Sequence, residues 1–358
     1  MRHWATRIAA SIGVAAVVPA VAPAGHAMEV RRAPGSVLVD ESFTRDTADS
    51  RFIGYGAACL TGAKRGRAEA EATNHPLRGC RRDPAGPVPP GGAARRGYLQ
   101  LTDAHFEVTG AVMFDSPIPA KNGLVATFEQ WQYGNTTREP ADGISFFLID
   151  GSRPLTTPGA FGGSLGYAQK LPGGRRDAQF VPGVNGGYLG VGLDALGEYF
   201  GDGEGRGNGC ERRSPAGTAF RPPAPGPNVV SVRGPGDGIE GYCLLAATAG
   251  KRPARGFWPS TLPGKLHGGR RTIPAGATAQ RAEALLAPVK RTVRVAVSSG
   301  RAPIVRVFID FQDGEGFRRV LRFRAPKPVP DTVKFGFAAS TGPRTDVHLI
   351  RRVVLRGK

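Results

Sequence analysis

The sequence predicts an all-β fold built as two antiparallel sheets packed face to face, and three observations carry that prediction. Short apolar runs recur from residue 98 to the C-terminus. Gly, Pro and Asn clusters punctuate them, as turns between strands require. Helical periodicity is nearly absent, so the runs have no helices to alternate with, and a sandwich is the architecture that buries them.

The elements follow in order. Val37-Leu38-Val39 with Phe43 predicts an edge strand, and residues 62–96, heavy in Pro, Gly and Arg, read as a long loop. Strands are expected at Tyr98 to Leu101, Val108 to Phe114, Leu124 to Trp131, Ile144 to Ile149, Tyr188 to Leu193 and Val229 to Val232. They continue at Val293 to Val297, Val305 to Phe311, Val320 to Phe323, Val333 to Ala339 and Val347 to Leu355. Arg294, Ala296 and Ser298 alternate with Val293, Val295 and Val297, and period two with one polar face marks a strand covering the core from outside. The single helix candidate is Ala279 to Leu286, rich in helix formers and stopped at Pro288, within an apparent insertion at about 249–291.

The N-terminus has the pattern of a secretory signal over residues 1–27. Arg2 and Arg7 precede an apolar stretch from Ile8 to Ala22, and Gly25-His26-Ala27 offers a small-x-small cleavage site. Residues 28–36 then form a short tail, and 37–358 the sandwich. No later apolar run is long enough for a membrane helix, so an exported protein, extracellular or cell-surface associated, is expected. Export favours disulfides. The four cysteines allow three connectivities, of which Cys59 with Cys80 and Cys210 with Cys243 is preferred because each pair shares a glycine-rich region. Neither pair has zinc-ligand spacing.

The net charge is +19, or +17 without a signal that holds Arg2 and Arg7 and no acid. Such a charge would attract anionic polymers. The arginines are nevertheless spread along a chain rich in Ala, Gly and Pro, so they read as a solvated surface, and nucleic acid is not an expected partner.

Chemistry concentrates at two strand ends. Ala141-Asp142-Gly143 runs into the apolar strand Ile144 to Ile149, which puts the acid at the lip of a sheet. Gly187-Tyr188-Leu189-Gly190-Val191-Gly192-Leu193 delivers Asp194 at its exit, and Glu198 and Asp202 follow within nine residues. Oxygen ligands in such a loop suit calcium. Catalytic patterns are weak: there is no Gly-x-Ser-x-Gly elbow, and no His-x-x-x-His spacing.

Ala141-Asp142-Gly143, Gly162-Gly163-Ser164-Leu165-Gly166, the strand ending in Asp194, and the closing Phe335-Gly336-Phe337-Ala338-Ala339-Ser340-Thr341-Gly342 together resemble the L-type (legume-like) lectins, in particular their bacterial secreted branch. The resemblance spans most of residues 97–356 and implies a concanavalin-like jelly roll that binds glycans or cell-wall polysaccharide without enzymatic activity. It also implies calcium held by Asp194, the carbonyl of Leu196, Glu198 and Asp202. Asp142, the N–H of Gly163 and Glu198 would meet the sugar. Glu198 stands where the family usually has Asn, and Gly192 where plant members place a Glu for a second, transition metal, so that metal is not expected. Glycoside hydrolases on similar sandwiches also need a Glu at the Gly192 position, which removes their carboxylate pair. The alternative is a structural, adhesion or polyanion-binding cell-wall module on the same sandwich, without sugar binding.

Overall fold

The computed structural model describes residues 1, 35–69, 72–174, 177–217, 226–251 and 256–358. The expected signal and most of the tail after it lie outside these. Among the described residues there are eighteen strands. The first nine are β1 (Val37–Glu41), β2 (Phe52–Gly56), β3 (Cys59–Leu60), β4 (Asn74–Pro76), β5 (Leu99–Thr102), β6 (Thr109–Pro119), β7 (Gly123–Tyr133), β8 (Gly143–Asp150) and β9 (Gly187–Asp194). The rest are β10 (Val229–Arg233), β11 (Gly236–Asp237), β12 (Glu240–Gly241), β13 (Leu244–Ala247), β14 (Arg291–Ser298), β15 (Ile304–Asp310), β16 (Phe317–Arg324), β17 (Thr332–Ser340) and β18 (Val347–Gly357).

They form two antiparallel sheets. One runs β16-β15-β14-β7-β18-β5-β3 with β1 on β18, and the other β12-β11-β9-β8-β17-β6-β2-β4 with β10 joining β9 to β13. The predicted antiparallel sandwich is therefore present, and each of the eleven runs anticipated from residue 98 onward coincides with a strand, with Tyr98, Val108 and Phe311 one residue outside theirs. Between the sheets, alternate residues such as Phe128, Phe146, Phe335, Phe337, Val295 and Val307 make the main core. Phe128 meets Phe337 edge-on with centroids 4.8 Å apart, an arrangement that favours the ring quadrupoles.

The second sheet is covered on its outer face as well. Phe147, Leu165, Tyr167, Tyr199, Tyr242 and Ala338 form a smaller core there, under the segments that follow β8 and β9. This explains why β8 is apolar on both faces, with six consecutive buried residues from Ile144 to Ile149. It also explains Gly192. A Cβ at that position would sit 2.4 Å from the Tyr199 ring, so the covering layer leaves no room for a glutamate on this strand.

The predicted helix Ala279–Leu286 forms within the stated bounds, and the Thr278 side chain accepts from the Arg281 N–H as its N-cap. Residues 62–96 are not wholly loop, because β4 pairs with β2. Both preferred disulfides are present, Cys59–Cys80 and Cys210–Cys243. Among the described residues no helix is long and apolar enough to cross a membrane.

Candidate functional site

Three segments far apart in sequence converge at the ends of β8, β9 and β17. The Asp142 carbonyl accepts from the Ala195 and Leu196 N–H groups at 3.1 and 3.2 Å, which fastens the entry of β8 to the exit of β9. Ser340, at the end of β17, donates to the Asp142 carboxylate at 2.6 Å and accepts from the Gly162 N–H at 3.0 Å. One hydroxyl thus ties the acid to the glycine turn Gly162–Ser164. Gly163 lies directly beneath Glu198, and a Cβ on it would come within 2.6 Å of the Glu198 carboxylate and 2.8 Å of the Arg206 guanidinium. Glycine is needed there for close approach.

Asp142, Gly162, Leu196 and Glu198, held by these contacts, line an open cleft of about 510 Å³. Asp142, Glu198, Glu204 and Lys170 supply its polar groups, and Phe161 and Leu196 supply apolar wall. Burial raises the Asp142 pKa, opposed by the Ser340 hydrogen bond and by the charges of Lys170 and Arg206. Burial also pushes Glu198 up to about 7, with the Asp142 charge adding to it and Arg206 opposing. Glu198 therefore holds its proton to a higher pH than an ordinary glutamate.

The sequence reading singled out Asp142, Gly163, Leu196 and Glu198, and the structure brings them together. It did not single out Lys170, Glu204 or Arg206, which lie outside the regular strands with no periodic or motif signal, and it gave no role to Ser340, which ends the closing motif strand. Trp258 packs edge-on against Phe200 at 5.4 Å and does not line the cleft. Trp131 is core, at 3 % exposure.

The acids expected to hold calcium are engaged otherwise. Both Asp194 oxygens accept backbone N–H groups of their own loop, from Gly197 and from Tyr199. Burial and the neighbouring carboxylates Glu198 and Asp142 raise the Asp194 pKa well above the usual range. Asp202 turns away to the buried Arg233, at 3.1 Å, and takes the Ser214 N–H at 2.6 Å.

Two guanidinium groups hold the interior of this loop. Arg233 donates to the carbonyls of Tyr199 (3.0 Å), Gly201 (2.6 Å) and Tyr242 (2.9 Å). Arg206 donates to the Gly201 carbonyl at 3.1 Å, and to Ser164 and Glu204, each at 3.3 Å. Both arginines are at most 1 % exposed.

Among the described residues no three His, Cys, Asp or Glu groups stand in a geometry that could hold a metal ion. In this conformation the donor set of Asp194, the Leu196 carbonyl, Glu198 and Asp202 is not gathered around one point: Asp202 pairs with Arg233, and both Asp194 oxygens take backbone N–H groups. A cation with a dissociation constant near ~10 μM would add about 2.7 kcal/mol at ~1 mM. We expect instead the same thermal midpoint in EDTA and in ~1 mM calcium, and a rise of several degrees would restore the metal.

No protein-family model matches the chain, and no curated protein sequence matches it. Solved structures with a similar course of the chain are lectins at low identity. The Lotus tetragonolobus seed lectin is 15% identical over 88% of this chain and 97% of its own, with a TM-score of 0.45. The basic winged bean lectin solved with Tn-antigen is 13% identical over 88% of this chain and 97% of its own, at 0.46. The VIP36 exoplasmic/lumenal domain in its Ca2+/Man3GlcNAc-bound form is 15% identical over 72% of this chain and 80% of its own, at 0.41. At such scores the likeness carries no argument about function, and the sandwich rests on its own strand pairing.

Proposed function

We propose that the protein is an exported, lectin-like carbohydrate-binding protein whose site is the cleft of Asp142, Gly163 and Glu198. The observation that carries this is convergence. Residues from three distant segments, fixed by Ser340 and by the Asp142 carbonyl, meet in one open cleft with polar groups and an apolar wall. Sugars need that combination, because vicinal hydroxyls require planar acceptors and donors while the pyranose face requires apolar contact.

Asp142 accepts from hydroxyls in this reading, and Glu198 in its neutral form donates, as the amide usual at that position in the lectins would. The neutral carboxyl makes a metal unnecessary for the donor role. The two disulfides suit an oxidising, extracellular setting. The sugar is bound and released unchanged, since Gly192 leaves β9 without the partner acid that retaining hydrolysis needs.

The test is a glycan screen without added metal, followed by titration of the strongest ligand against Asp142→Asn. This change keeps the shape and a partner for Ser340 but removes the charge. A hydrogen bond to a charged group contributes about 1.5–3 kcal/mol, so affinity should fall by about tenfold to a hundredfold with little change in thermal midpoint. Undiminished binding by the variant would move the site elsewhere, and release of reducing sugar would make the protein a hydrolase.

A further inference from the structure

The sheet on the opposite side of the sandwich from the cleft carries a second feature. Its outer face gathers arginines that are scattered in sequence. Arg306 stands directly across from Arg322, and the same row continues through Ala296 and Val125 to Arg356. The next row places Arg319, Phe308, Arg294 and Thr127 side by side. Arg324 adds a further charge opposite Ile304. Arg319, Arg322, Arg324 and Arg356 are exposed, and Arg294 and Arg306 half-buried.

Among the described residues none of these six has a carboxylate within ion-pairing distance. The acids of this face lie at its margins: Glu129 and Asp310 in one end row, Asp40 on the edge strand. Glu129 is already held by Lys290 at 2.8 Å.

Like charges directly opposite across strands destabilise a sheet. Arg306 and Arg322 bear that penalty with no internal compensation, which points to an external one. We propose that this face binds an anionic polysaccharide, a chain bearing carboxylate or phosphate groups. Arg306 and Arg322 stand about 5 Å apart across strands, Arg319 and Arg294 about 10 Å apart with Phe308 between them, and the two rows about 7 Å apart along the strands, a flat array for an extended chain of anions. A second copy of the protein is disfavoured, since two such faces would repel. Nucleic acid is disfavoured by shape. The face offers no protruding helix or ribbon for a groove, and the Arg294 guanidinium already covers the Phe317 ring at 4.0 Å, which blocks it as a base-stacking platform.

Polygalacturonate, neutral dextran and a duplex DNA oligonucleotide are the probes, titrated at ~50 and ~300 mM salt. The protein should bind polygalacturonate and not dextran, more weakly at the higher salt. Arg306→Ser/Arg319→Ser/Arg322→Ser should weaken that binding by about tenfold or more, on the order of 1.4 kcal/mol. Its thermal midpoint should be unchanged or higher. Arg82→Ser/Arg138→Ser/Arg212→Ser removes the same charge from exposed positions elsewhere and should leave binding within about twofold. Asp142→Asn should not affect it, which separates this face from the cleft. No binding to polygalacturonate, equal loss in both triple variants, or stronger binding to DNA would each overturn the proposal.

Discussion

Replacing Arg233 by alanine should destabilise the protein by about 3–5 kcal/mol, the range for breaking a buried ion pair from one side. The substitution strips donors from the carbonyls of Tyr199, Gly201 and Tyr242 and leaves Asp202, 2 % exposed, with only the exposed Arg213 at 3.8 Å as a charge partner. Arg233→Lys should not restore stability, because one ammonium cannot reach acceptors spread around a planar guanidinium. The measurement is denaturant unfolding of both variants with and without calcium. A loss under about 1 kcal/mol would mean that the loop does not depend on this side chain. Recovery on adding calcium would mean that the same loop takes a metal once the guanidinium is gone. Because Arg233 reaches under the cleft rather than into it, its loss should weaken glycan binding only through the shape of the loop.

Stability should also decline as the pH rises from the mildly acidic range to neutrality, against the usual trend for carboxylates in salt bridges. The folded state holds the Glu198 proton up to about 7, against 4.5 for an ordinary glutamate. The unfolded chain therefore loses its proton first. The contribution is fully present below 4.5 and is lost as pH rises toward 7. At about 1.36 kcal/mol per unit, this amounts to roughly 2–3 kcal/mol once the partial exposure of Glu198 is allowed for. Asp142 and Asp194 are raised too, so they act with the same sign.

Glycan affinity should fall through the same upper limit, because an ionised Glu198 can only accept hydrogen bonds. Glu198→Gln should remove the Glu198 share of the stability profile, leaving that of Asp142 and Asp194, and should weaken the pH dependence of binding in that range. Unfolding free energies at about pH 5 and about pH 8 decide the matter. A wild-type protein equally stable at both would show that Glu198 titrates normally.

Much of this molecule is legible in its sequence, because local chemistry and periodicity report on single elements. Period two and turn residues mark the strands of the sandwich. Good helix formers ending at Pro288 mark Ala279–Leu286. An acid-glycine pair before an apolar strand marks Asp142 as a residue at a sheet lip. Strands of two to five residues that contain glycine or proline, such as Phe52–Gly56 and Asn74–Pro76, carry no such signal and form because a neighbouring strand offers them partners.

What only the tertiary structure decides is which charge meets which. In sequence, Asp202 looks like a metal ligand and Arg206 like one more solvated arginine. In space, Asp202 faces Arg233, and Arg206 lies buried beside Glu204. The arginines of β14, β15, β16 and β18 look dispersed along the chain, and only strand pairing lays them in adjacent rows. Electrostatic energy depends on distance and burial, and neither is a property of sequence separation.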